Sequence, residues 1–69
     1  DSVISIDYSE NIIVIKTLDG NAHAVAACLD HLERKEILGT LAGDDTILVV
    51  VKPKSAIDTV YHSLNKLLE

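Results

Sequence analysis

Sixty-nine residues with no Trp, Phe or Met, two Tyr, one Pro and one Cys make a single small domain with an aliphatic interior, which excludes most two-layer, large-pocket enzymes. Six Lys and Arg against eleven Asp and Glu give a formal charge of -5 without a basic run, whereas affinity for a phosphate backbone comes from clustered Lys and Arg. Cys28 stands alone and excludes an intrachain disulfide, yet a chain of this size hides only about 60% of its unfolded surface and is marginal without a staple or a partner. With 48% of residues hydrophobic, some of that apolar surface is expected to meet another subunit.

The longest apolar run, Ile47 to Val51, falls far short of the roughly 20 residues that cross a bilayer. No charged leader with an apolar core is recognisable, and a soluble, cytoplasmic domain is expected. The chain runs from Asp1 almost at once into a strand-like pattern, which suggests a piece of a longer protein.

Ile4, Ile6 and Tyr8 alternate with Ser5 and Asp7, and Ser9, Glu10 and Asn11 form a turn before the β-branched run Ile12 to Leu18, so the spacing predicts a hairpin of two strands. Asp19 and Gly20 break that run, and Asn21 is expected to cap a helix from Ala22. Its apolar stripe is Ala22, Val25, Cys28, Leu29 and Leu32, and it is expected to end near Arg34 and Lys35, whose charges suit a helix C-terminus. Ile37 to Ala42 and Thr46 to Lys52 read as strands around the turn Gly43, Asp44 and Asp45, and Pro53 stops the second. Ser55 with Asp58 has capping-box spacing, ahead of a helix with the stripe Ile57, Val60, Tyr61, Leu64 and Leu68. The fold class is therefore α+β, a two-layer β-β-α-β-β-α arrangement with a four-stranded antiparallel sheet and two helices on one face. Ile12 to Ile15 and Ile47 to Val51 do not alternate, so the second sheet face is expected to be buried in an oligomer.

Chemistry concentrates in two places. On a glycine-flanked turn, Asp44 and Asp45 are either the solvated tip of a hairpin or a cation site, where a guanidinium or ammonium relieves the repulsion of neighbouring carboxylates. On the first helix, His23, Ala27, Asp30 and Arg34 share the stripe opposite Val25 and Leu29, an ordinary wet face unless a ligand lies over it. The helix N-terminus beside His23 favours a carboxylate. An acceptor for carboxylate at one end and two or three carboxylates at the other have the polarity of a basic amino acid. His23, His31 and His62 lack zinc spacing, and Cys28 on the apolar stripe reads as a buried, inert thiol. Magnesium at Asp44 and Asp45 would need a phosphate-bearing ligand that nothing else predicts.

The stretch Ile37-Leu38-Gly39-Thr40-Leu41-Ala42-Gly43-Asp44-Asp45-Thr46-Ile47 resembles the signature of the C-terminal domain of bacterial arginine repressors, and Gly20-Asn21-Ala22-His23-Ala24 with Leu29-Asp30 resembles that family's first helix. The resemblance spans essentially the whole chain. It implies a non-enzymatic domain that forms trimers, pairs them into a hexamer and binds L-arginine as corepressor between trimers, with no other cofactor. Operator DNA would be read by a separate N-terminal winged helix-turn-helix domain that nothing in these residues matches. The resemblance places arginine contacts at His23, Asp30, Thr40, Ala42, Asp44 and Asp45, with Asp44 and Asp45 toward the guanidinium, Asp44 reaching ligand held mainly by the opposite trimer, and Asp30 toward the α-amino group. His23 departs from the Gln common at this position, so affinity is open to change or to pH dependence. Two further classes remain at this stage: a structural oligomerisation module, and a small enzyme of the pterin-dehydratase kind, whose clustered His would have to converge in the fold.

Overall fold

The computed structural model describes residues 2–68. β1 (Val3–Ser9) and β2 (Ile12–Thr17) form an antiparallel hairpin, α1 (Ala22–Asp30) follows, and β3 (Ile37–Ala42) with β4 (Thr46–Val51) forms a second hairpin. A 3-10 turn over Lys54–Ala56 then leads into α2 (Ile57–Leu68). The expected α+β, β-β-α-β-β-α order is the one observed.

The sheet runs β1-β2-β4-β3 with every neighbouring pair antiparallel, so the α1 connection carries the chain from β2 across the place that β4 later fills. β2 and β4 are central, which is where β-branched residues packed on both sides fit best. Their inward rows, Ile13 and Ile15 with Ile47, Val49 and Val51, are no more than 1% exposed. Ala22, Val25, Ala26 and Leu29 of α1 and Val60 and Leu64 of α2 close over them. α1 packs mainly against β3 and α2 against β1, so both helices share one face.

On the other face the register sets Ile12 beside Val50, Val14 beside Leu48, and Leu48 beside Leu41. A bulge between Ile37 and Gly39 brings Leu38 to line the same surface as Leu41, Leu48 and Val50. Leu41 and Leu38 are 70% and 66% exposed and Leu48 is 38% exposed, so β2, β4 and β3 present a continuous apolar surface with none of the described residues packed over it. β1 contributes Ser5, Asp7 and Ser9 to that face and makes its far margin polar.

Local details depart from the sequence expectations at several places. β2 and β4 end one residue early, at Thr17 and Val51. Asn21 makes no side-chain cap: its backbone is already near-helical, and its Nδ2 donates to Ser2 Oγ at 3.1 Å instead. α1 ends at Asp30 rather than near Arg34, because His31 and Leu32 close the last turn onto Cys28 and Leu29, and Glu33 then takes a left-handed φ of 53°. Cys28 is exposed, since the buried stripe of α1 runs through residues 22, 25, 26 and 29, and position 28 lies about 100° to one side of 29.

The capping box at α2 is also absent. Ser55 sits within the 3-10 turn, and the Asp58 carboxylate accepts the Tyr8 hydroxyl at 2.5 Å rather than turning back on its own helix. Tyr8 in turn lies on Tyr61, ring centroids 4.7 Å apart, so this contact fastens the first turn of α2 to the edge strand β1. The Asp58 hydrogen bond, and then the negative charge of Asp58, raise the Tyr8 pKa above its ordinary value. A phenol whose pKa is raised on folding contributes stability that is complete below the unfolded value, about pH 10, and is lost as pH climbs through the folded value. Tyr8→Phe should therefore be less stable than the parent at pH 7, with the gap narrowing above about pH 10. Urea midpoints of both proteins across that range measure it, and a gap that stays constant would separate the stability from the hydroxyl.

Candidate functional site

The turn between β3 and β4 is anchored by its backbone. Gly43 N–H donates to the Thr46 carbonyl at 2.8 Å and closes the hairpin. Thr17 N–H, at the end of β2, donates to the Asp45 carbonyl at 2.8 Å, and Ala22 N–H, the first of α1, donates to the Asp44 carbonyl at 3.2 Å. Between these anchors, Gly20 at φ 81° turns the chain from β2 into α1, with Asn21 N–H on the Leu18 carbonyl at 3.1 Å. A side chain would cost about 1–2 kcal/mol in that left-handed conformation. The two carbonyls are thus held inward, the Asp44 side chain is exposed, and that of Asp45 is half-buried.

At the other end of the same edge, Thr40 on β3 and Asp30 at the end of α1 meet through Thr40 Oγ1 and Asp30 Oδ1, 3.4 Å apart. Thr40 and Ala42 pair with Val49 and Ile47, so both lie on the helix side of the sheet, and Ala42 packs against the core. The sequence-derived residues therefore follow the seam between α1 and β3: Asp30 with Thr40, then Ala42, then Asp44 and Asp45 against the start of α1. His23 is exposed in the first turn of α1, one residue beyond the N–H that Asp44 accepts. That bond engages the first N–H of the helix, and the first intrahelical donor is Val25 N–H, to the Asn21 carbonyl. The N–H groups of His23 and Ala24 are the ones the helix itself does not use.

Arg34 is not part of this stripe. It lies beyond α1, where its Nη1 donates to Ser63 Oγ at 3.0 Å and its Nε stands 3.5 Å from Glu36. Among the described residues the ion pairs are Arg34 with Glu36 and Lys54 with Glu10, so no Lys or Arg nitrogen is within 4.0 Å of Asp30, Asp44 or Asp45. The three His do not converge: His31 Nδ1–H donates to the Ala27 carbonyl at 2.7 Å, and His62 packs edge-on to Tyr61 on α2. Among the described residues no three His, Cys, Asp or Glu groups are placed to hold a metal ion.

Sequence reasoning missed Thr46. Its hydroxyl donates to Asp45 Oδ1 at 2.9 Å and accepts from Lys16 Nζ at 3.0 Å. Thr46 was readable as the start of a strand; its partner Lys16 is thirty positions away and is brought opposite only by the β2–β4 pairing.

Fold and site together describe a small α+β domain with an acidic seam along one edge and an apolar, unpaired sheet face. Residues 1–66 match the family of the arginine repressor, C-terminal domain, and the chain belongs to that family, which is one of regulators and not of enzymes. The chain is similar to the arginine repressor of Moorella thermoacetica, 61% identical over 69 residues that make up 100% of this chain and 46% of that one. The arginine repressor of Syntrophomonas wolfei is 56% identical over 68 residues, 99% and 44% of the two chains. That of Halalkalibacterium halodurans is 57% identical over 54 residues, 78% and 36%. The chain thus spans a little under half the length of these relatives. None of its helices is long and apolar enough to cross a membrane, among the described residues.

Proposed function

We propose that this domain is the arginine-sensing and assembly half of a repressor, and that L-arginine binds as corepressor along the seam of α1 and β3. Asp44 and Asp45 receive the guanidinium, Asp30 and Thr40 the α-amino end, Ala42 leaves room for the aliphatic stem, and His23 lies toward the ligand carboxylate. The observation that carries this reading is the row of three carboxylates along one edge, none with a Lys or Arg partner among the described residues, with Asp30 held to Thr40 and the turn held to the start of α1. A molecule cationic at both ends satisfies such a row better than a metal ion does, because the groups are spread along the edge instead of converging.

The apolar face of β2, β4 and β3 buries itself against further copies of the chain, giving trimers, and arginine between two trimers completes a hexamer. Ligand that binds only the assembled form stabilises it by mass action, and so sets the geometry of DNA-binding domains elsewhere in the whole protein.

Titration calorimetry with L-arginine tests the site. The parent should bind, and Asp45→Asn, which keeps the shape and removes the charge, should bind about 10- to 100-fold more weakly, as expected when a charge-assisted hydrogen bond is lost. Equal affinities would take the turn out of the site, and no heat from the parent would remove arginine as ligand. Sedimentation velocity with and without arginine separates this reading from a purely structural module, whose assembly would be indifferent to the amino acid.

A further inference from the structure

We infer that Thr46 is the positioning residue of the site, and that Lys16 completes a relay which orients the Asp45 carboxylate for its cationic ligand. The inference rests on the arginine reading above and assigns a role to two residues outside the six named there. Lys16 Nζ donates to Thr46 Oγ1 at 3.0 Å, and Thr46 Oγ1 donates to Asp45 Oδ1 at 2.9 Å. The directions are forced by the inventory of protons: an ammonium can only donate, an ionised carboxylate can only accept, and the hydroxyl has one proton to give and lone pairs to receive with. An ammonium bound to the hydroxyl oxygen makes its O–H a stronger donor, so the two bonds reinforce one another.

The consequence falls on Asp45 alone of the pair. Its backbone carbonyl is held by Thr17 N–H at 2.8 Å and its Oδ1 by Thr46, so main chain and side chain are both fixed, and Oδ2 accepts no hydrogen bond among the described residues. Asp44 has its carbonyl held by Ala22 N–H, but its side chain is exposed and has no recorded partner among the described residues. Asp45 therefore enters binding with its rotamer already set, which spares the ordering cost that a free carboxylate carries. The relay also spans two strands: Lys16 and Thr46 are paired across β2 and β4 in the row that belongs to the open face, next to the row of Val14 and Leu48. Lys16 lends positive charge to this acid through a hydroxyl without standing in the ligand's place, since no Lys nitrogen lies within 4.0 Å of Asp45.

The test compares L-arginine affinity by calorimetry, and thermal stability, for the parent, Thr46→Val, Thr46→Ser and Lys16→Met. Thr46→Val keeps the branched shape and should weaken binding about five- to twenty-fold, in line with the loss of one hydrogen bond to a charged group. Thr46→Ser restores the hydroxyl and should bind within about twofold of the parent, while exposed Lys16→Met should fall about two- to fivefold. The Asp45 carboxyl carbon resonance should move in Thr46→Val and stay in place in Thr46→Ser. Parent-like affinity in Thr46→Val, or Thr46→Ser as weak as Thr46→Val, would overturn the inference. Should Thr46→Val fail to fold, Thr46→Ser and Lys16→Met decide it, with parent-like binding of Lys16→Met counting against the relay. An inert parent would show instead that the arginine reading itself had failed, and the positioning role with it.

Discussion

Leu64→Ala is expected to cost about 2–5 kcal/mol and to leave a large fraction of the chain unfolded at room temperature. Leu64 is fully buried and, with Val60, is what α2 inserts between the helix layer and the sheet. Ile57, Tyr61 and Leu68 only flank that contact and are partly exposed. At roughly 0.05–0.15 kcal/mol per residue, a domain of this length has about 3–10 kcal/mol in total, so one cavity consumes about a fifth of it at the least and most of it at the low end of that range. In α1 only Leu29 offers a comparable loss, since half of that helix's buried face is alanine: Ala22 and Ala26 let the helix approach closely but have little to lose. Urea unfolding at fixed protein concentration measures the change, the concentration being held because assembly would stabilise the folded form. A loss under about 1 kcal/mol would mean that α2 is held mainly by the Tyr8 and Asp58 contact at its first turn.

The element order was legible because the signals along this chain are strong and local. Ile12 to Thr17 and Thr46 to Val51 are dense in β-branched residues, and the stripes Val25 to Leu29 and Val60 to Leu64 have helical period. The end of α1 was not legible, since Leu32 continues the apolar period and still packs on the core from outside the helix. Only the backbone at Glu33 shows that the helix has stopped, and a glutamate gives no hint of a left-handed φ. Cys28 was misread for a related reason: with Ala26 available, the core takes residues 25, 26 and 29 as its face, and a stripe drawn through 28 is turned too far.

The candidate site divides in the same way. Asp44 and Asp45 announce themselves as adjacent acids on a turn, and Asp30 as a polar residue two turns from His23. Their relation is tertiary. It depends on Ala22 N–H finding the Asp44 carbonyl and on Thr40 reaching Asp30, contacts across 22 and 10 positions that no window of sequence contains. The cap expected of Asn21 failed because Ser2 competes for its side chain, and the box expected of Ser55 and Asp58 failed because Tyr8 competes for the acid. In both cases a long-range partner displaced a local one of similar strength, which sequence spacing cannot anticipate.

Replacing Leu41 and Leu48 together by Lys should take the assembly apart without unfolding the chain. Both residues lie on the open sheet face, in register with one another, and neither belongs to the buried core. If that face is covered by another copy, Leu41, 70% exposed in the lone subunit, gains up to about 1.5–3 kcal/mol of burial in the complex, and Leu48, 38% exposed, gains less. The ammonium groups would add the cost of taking charge out of water, so association should weaken by at least a hundredfold. Sedimentation velocity at micromolar concentration should then report a larger species for the parent and a monomer for the variant, with far-ultraviolet circular dichroism alike in the two. If arginine is shared between copies as proposed, its affinity should fall with assembly, because the ligand loses part of its site when they separate. A variant that stays assembled would move the interface to other surfaces of the domain, and the apolar face would then need a different occupant.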